Sequence, residues 1–208
     1  MAATSSSLSY RQEQAAATRE RIAAAARRLF AAQGYRMTTM TAIADEAGVA
    51  HRTVYTAFGA KREILSVLCE QMLADAHAGE IVQAALAETD PRRTVGLAAQ
   101  FLASLFEAAY DVIALFEAAS AEDHPTRDML RAKLEARNAV QDQIVASIGE
   151  ALVLPLPAAQ AIYRAFAATG IYTELVLSSG WTNREYQDWV EEQLERQLLG
   201  AGDRSAVH

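Results

Sequence analysis

Apolar residues spaced three and four apart divide this chain into a series of helices. Ile22, Ala26, Leu29 and Phe30 recur at helical spacing, which predicts an amphipathic helix from Thr18 to Gln33 that Gly34 stops. Thr38 or Thr39 can cap the next helix, whose buried face is Met40, Ile43, Ala44 and Ala47. Gly48 stands where the chain must turn sharply and tolerates the positive φ needed there. Val49 follows as a core plug, and a third helix runs from Ala50 or His51 to Phe58. A helix turns by about 100° per residue, so Val54 and Phe58 point inward together while His51, Arg52, Tyr55 and Thr56 fall on the opposite side. Two short helices around a glycine turn, with a longer helix on either side, are the layout of a helix-turn-helix DNA reader.

Lys61 to about Gly79 reads as a connecting helix with Ile64, Leu65, Leu68 and Met72 on its buried stripe. Asp90-Pro91 opens another helix, and Val95, Leu97, Phe101, Leu102, Leu105 and Phe106 make it apolar around much of its circumference, the mark of burial. A short segment between Asp111 and Phe116 precedes a polar break at 121–125. A long amphipathic helix over 126–148 follows. After Pro155 and Pro157 come two last helices, over about 158–178 and 183–199. The expected organisation is all-α: a disordered tail over 1–12, a three-helix DNA-binding domain over 13–60, a larger helical ligand-binding and dimerisation domain over 61–199 that opens with the connecting helix, and a second disordered tail over 200–208.

Charge sharpens this division. The chain carries a net −7, which alone argues against nucleic acid, yet residues 1–65 hold nine Arg or Lys against five Asp or Glu. The remaining residues hold ten against twenty-one, so a basic module is joined to an acidic body and attraction for phosphate is directed at one end. Arg11, Arg19 and Arg21 read as a solvated N-terminal extension within reach of a groove. The single cysteine, Cys69, excludes an internal disulfide and reads as helix packing. No signal peptide is expected, and the longest charge-free stretch, between Arg93 and Glu107, is too short to span a bilayer, so the expected location is cytoplasmic, with no membrane partner. There is no His-Glu-x-x-His, phosphate loop, nucleophile elbow or Cys-x-x-Cys, and the four histidines are scattered; neither an enzyme, a metal site nor a cofactor is expected. A helical small-molecule-binding protein or enzyme with an incidental helix-turn-helix is the alternative class.

The run Gly34-Tyr35, Thr38-Thr39, Ile43-Ala44, Ala47-Gly48-Val49, Thr53-Val54-Tyr55, Phe58 and Lys61 resembles the N-terminal domain of TetR-type (tetracycline-repressor-like) regulators, over roughly residues 15–75. The resemblance implies a regulator, most often a ligand-released repressor, that binds a double-stranded operator as a homodimer. It implies that Thr39 caps the second helix near a phosphate and that Thr41 reaches the backbone or a base edge. His51, Arg52, Thr53 and Thr56 then form the major-groove face, while Tyr55 and Lys61 contact phosphate. Phosphate contacts position such a protein and base-edge contacts choose its sequence. Arg52, able to grip guanine O6 and N7, is the best candidate for direct readout. The chain departs from the pattern at Ala50 and Ala60, where helix-capping side chains are usual, and at Arg52, where a small residue is usual.

For the body, the resemblance implies a cavity for an apolar or aromatic effector. Phe101, Leu105, Tyr110 and Phe116 are candidate lining residues, with Tyr163, Phe166 and Tyr172 from the later helices; Glu117 or Glu174 would suit a cationic group. It also implies a four-helix dimer interface. Ile162, Phe166, Thr169, Thr173 and Val176 would supply one helix, and Trp189, Val190, Leu194 and Leu198 the other.

Overall fold

Every regular element of the computed structural model, which describes residues 3–119 and 124–200, is helical. In chain order the elements are α1 (Ala3–Met37), α2 (Met40–Ala47), α3 (His51–Phe58), α4 (Lys61–Asp75), α5 (Ala78–Ala87), α6 (Pro91–Ala119), α7 (His124–Ser147), α8 (Leu156–Phe166), α9 (Thr169–Tyr172) and α10 (Asn183–Leu194). Short 3-10 or wide π-type turns follow α7, α9 and α10. The chain divides into two compact units, Met1–Gln71 with Ala114–Arg127, and Met72–Ile113 with Asp128–His208.

In the first unit α2 packs on α1 and α3 packs on α2. Ile22, Ala26, Phe30, Ile43, Ala44, Val54 and Phe58 are buried there, the faces that helical spacing predicts. Gly34 leaves helical geometry at φ 81, so α1 bends where the glycine was expected to stop it. Residues 3–12, expected as a tail, instead form the first turns of α1, because no glycine or proline interrupts the chain from Ala3 to Gln33. The C-terminal tail expectation beyond Gly200 lies outside the described residues.

The second unit holds the larger core: Val95, Ala99, Leu102, Phe106, Ile144, Val145, Ala159, Tyr163, Tyr186, Val190, Leu194 and Leu198 are buried. Its sequence reading needs three corrections. α4 ends at Asp75 rather than near Gly79, with His77 in the left-handed region at φ 50, and α5 follows as a separate helix on the buried positions Ala78, Ile81 and Ala85. Two of those three are alanines, whose small apolar contrast hid the stripe. The helix expected over 158–178 is broken at Ala168, whose backbone is extended. Finally, α6 does not stop at Asp111 but continues to Ala119 after a kink at Ala109. Its 29 residues are long and apolar enough to cross a membrane by length and composition, contrary to the expectation from the charge-free stretch alone. Phe101, Leu102, Leu105, Phe106 and Val112 are nevertheless buried inside the protein, as in a core helix.

Two expectations test this packing. At Gly48 (φ 64) an added Cβ would meet nothing within 4 Å, so the cost of substitution is conformational alone. Gly48→Ala should lower stability by about 1–2 kcal/mol and Gly48→Asn by distinctly less, read from urea midpoints; equal losses would contradict the assignment. Gln141 is fully buried, and among the described residues neither its amide oxygen nor its nitrogen has a hydrogen-bond partner. Gln141→Leu should therefore raise the melting temperature, each ~1 kcal/mol recovered being worth about 2–4 °C in a chain of this length. A fall would show that the amide is satisfied.

Candidate nucleic-acid interface

The two short helices are set by their ends. Thr39 takes the extended conformation of an N-cap, and its hydroxyl accepts the Ala42 N–H at 3.1 Å. Its neighbour Thr38 is buried instead, donating to the Gly34 carbonyl at 2.8 Å and accepting from Gln33, which decides between the two candidates. At the other end of α2 the left-handed Gly48 donates to Asp45 O at 3.1 Å, and Val49 reaches back to Ala44 O at 3.0 Å, closing the turn.

α3 starts without a side-chain cap at Ala50, whose carbonyl accepts the Thr53 N–H at 2.8 Å. In place of a cap, His51 Nε2 lies 3.4 Å from Asp45 Oδ1 and links α3 to α2 across the turn. Val54 and Phe58 are buried, whereas His51, Arg52, Tyr55 and Thr56 are exposed and Thr53 is half-buried. On a helical wheel the four exposed residues share an arc of about 140°. Thr41 is also exposed. The outward face of α3 therefore presents imidazole, guanidinium, phenol and hydroxyl groups together, donors matched to phosphate oxygens and to the acceptors of guanine.

Three cations tie the helices of the domain together. Arg28 pairs with Glu46 at 2.8 Å and joins α1 to α2. Arg19, expected in a solvated extension, donates to the Ala57 carbonyl while its guanidinium lies 4.4 Å from the centroid of the Phe58 ring, holding the end of α3 from α1. The Lys61 ammonium, expected to face phosphate, points inward: it donates to the carbonyls of Tyr35 (2.5 Å), Thr38 (2.9 Å) and Arg36 (3.4 Å) and lies 4.2 Å over the Tyr35 ring. Three carbonyls leaving the end of α1 form a negative pole that attracts a cation more cheaply than solvent does. These pairs join residues 18 to 38 positions apart and have no local sequence signature.

In the second unit the expected cavity residues separate. Tyr110 and Tyr172 join an aromatic cluster in which Tyr172 stacks on Phe106 (4.7 Å between centroids) and meets Tyr186 edge-on (4.9 Å). The Tyr110 hydroxyl is 2.7 Å from Thr173 Oγ1; because Thr173 donates to Thr169 O, Tyr110 is the donor. Phe106 and Tyr186 were missed, although Tyr186 continues the 190, 194, 198 spacing at four residues. Burial holds the phenols of Tyr163, Tyr172 and Tyr186 above their ordinary pKa, so they remain neutral. Tyr163 spends its proton on Ala98 O at 2.9 Å. Phe101 and Leu105 are buried, Phe166 pairs with Trp189 at 5.9 Å, and Phe116 belongs to the other compact unit.

The expected dimer surface also divides. Val190, Leu194 and Leu198 are buried within the single chain, because the four-residue stripe of α10 faces its own core and Trp189 lies one position off it. Ile162, Phe166, Thr169, Thr173, Val176 and Trp189 are only half-buried, and Leu177 is 55% exposed.

Residues 22–68 match the family described as bacterial regulatory proteins, tetR family. No curated protein matches the chain. Among solved structures the chain is similar to NalD, the secondary repressor of the MexAB-OprM multidrug efflux pump in Pseudomonas aeruginosa, at 18% identity and TM-score 0.72, covering 91% of this chain and all (100%) of that one. It is similar to the transcriptional regulator FadR from Bacillus subtilis in complex with stearoyl-CoA (20% identity, TM-score 0.68, 88% and 99% covered). It is also similar to AmtR of Mycobacterium smegmatis (23%, 0.66, 89% and 87%). At such identities the likeness is one of fold. The helix-turn-helix geometry and the family match across it make residues 22–68 a DNA-binding domain of the bacterial tetR-family type, in a chain whose all-helical fold is shared with these solved regulators.

Proposed function

We propose that the chain is a cytoplasmic, homodimeric repressor that binds a pseudo-palindromic DNA operator and is released by a small effector. The observation that carries this reading is the exposed face of α3, where His51, Arg52, Tyr55 and Thr56 stand on a helix whose opposite side, Val54 and Phe58, is buried. Thr39 and Thr41 on α2, with Thr53, complete the contact set. Arg52 is assigned base readout, and Tyr55, 53% exposed, a phosphate.

Dimerisation is assigned to the half-buried surface of Ile162, Phe166, Thr169, Thr173, Val176 and Trp189, extended by Leu177. One recognition helix reads few bases; two held about one or more helical turns of DNA apart read a specific site. For the effector, the aromatic cluster of Phe106, Tyr110, Tyr172 and Tyr186 supports an apolar or aromatic molecule. Such a molecule changes operator affinity only by binding the DNA-competent and released forms unequally.

Arg52→Ala should weaken binding to the operator selected from random duplex DNA by about 1–3 kcal/mol, on the order of 5- to 150-fold. Tyr55→Phe should weaken it several-fold, and both variants should melt like the parent. Undiminished binding by both would refute the contact assignment, and failure of the parent to select any sequence would favour the enzyme or small-molecule-binder alternative. By light scattering at micromolar concentration the parent should have twice the chain mass and Phe166→Lys the single mass; a monomeric parent refutes the dimer.

A further inference from the structure

The second unit holds polar groups where its packing gives them nothing to bond. Gln141 of α7 is fully buried, and among the described residues its amide has no hydrogen-bond partner at either atom. The hydroxyl of Tyr186 on α10, a side chain just as deeply buried, has none either. By contrast, the equally buried Tyr163 of α8 donates to Ala98 O at 2.9 Å. Stranding a buried donor or acceptor destabilises a fold, and leucine or phenylalanine would fill the same space without that penalty. A core that keeps two such groups points to a ligand whose polar atoms meet them.

The groups share one place in the fold. Burial raises the Tyr163 pKa most, Tyr186 raises it further and the Arg137 guanidinium of α7 opposes the rise, so both side chains lie near that phenol. Gln141 follows Arg137 by one helical turn, on the same face of α7. Asp142, the next residue, pairs with Arg164 and its carbonyl accepts from Gln160 at 3.2 Å, so α8 runs beside α7 at this point. The rings of Phe106 and Tyr172 flank Tyr186 at 6.0 and 4.9 Å between centroids, which places an aromatic wall next to the stranded hydroxyl.

We propose that Gln141 and Tyr186, with Arg137 supplying positive charge, bind the carboxylate of a small apolar or aromatic acid whose hydrocarbon part lies against Phe106 and Tyr172. Phenol O–H, amide N–H and guanidinium N–H groups together supply donors in excess, and the guanidinium is charged, which suits an anion and not a cation. The Glu107 carboxylate is directed elsewhere: it accepts from Asn183 at 3.0 Å and, after burial, is the next cause of the raised Tyr172 pKa. Hydrogen bonds to an ionised acceptor are roughly twice as strong as those between neutral groups, so the site distinguishes an acid from its uncharged amide. The inference names the chemical class of the effector and rests on the reading that the second unit binds one.

The test is isothermal titration of the full-length parent, Gln141→Leu and Tyr186→Phe with phenylacetate, 4-phenylbutyrate, octanoate and decanoate, and with the primary amide and amine of each. The melting temperature of each protein without additive is measured alongside. At least one acid should bind the parent about tenfold or more tightly than its amide and its amine. Each substitution should weaken that acid by on the order of tenfold and narrow its lead over the amide. Each should also leave the melting temperature of the free protein unchanged or raised, because it removes a stranded group from the core. A purely structural role would instead lower the melting temperature and weaken acid and amide alike. The proposal is overturned if an amide or amine binds the parent as tightly as its acid, or if either variant keeps the parent's affinity for the acid. It is also overturned if either variant melts below the parent or fails to fold, since the group would then be satisfied within the fold. A parent that binds no member of the panel refutes the apolar-effector reading itself, and the carboxylate site with it, before either variant is compared.

Discussion

The placement of α3 is the constraint on which the rest of the reading domain depends. An eight-residue helix makes too few internal hydrogen bonds to persist in water by itself. Its existence and direction come from tertiary anchors: Val54 and Phe58 in the core, the left-handed turn at Gly48 and the Arg19 guanidinium over the Phe58 ring. None of these groups belongs to the exposed face of α3. Because the anchors occupy one side of the helix, the exposed residues on the other side take no part in its core packing. That separation lets a side chain as large as Arg52 stand on α3 without entering the core.

Electrostatics in this domain serve two ends. The surplus of cations over residues 1–65 suggests attraction to phosphate, but Arg19, Arg28 and Lys61 are engaged in bonds that hold α1, α2, α3 and α4 together. A cation against a helix C-terminus or an aromatic ring is stabilised by local dipoles and quadrupoles, and its long-range field persists while its hydrogen bonds are spent internally. A count of charges therefore does not reveal which cations are engaged in bonds within the domain. In the second unit the polar groups are similarly internal: Tyr163 and Tyr110 donate to Ala98 O and Thr173 Oγ1 within the helical core.

Helix identity and inner faces were legible because a period of 3.6 is local information. Ile22, Ile43, Val54 and Ile64 are buried as their spacing requires, and the glycine at 48 adopts the positive φ that its place between two helices demands. The face of α3 was legible for the same reason. Less could be read where alanine replaced larger apolar residues, as in α5, or where a helix bends or breaks without glycine or proline, as at Ala109 and Ala168. Weak side-chain contrast and backbone geometry set by packing leave little trace in a short window.

The sequence by itself determined the helical class, the helix-turn-helix, its buried and exposed faces and the charge difference between the two parts of the chain. Only the tertiary structure decided which partner each exposed or apolar group meets. Lys61 meets three carbonyls, the exposed Arg19 lies over the Phe58 ring, and the stripe of Val190, Leu194 and Leu198, expected to face a partner subunit, is buried in its own core. The reason is one of range. Periodicity says which side of a helix is apolar or charged, whereas the group that side meets is brought from tens of residues away by the packing of the whole chain.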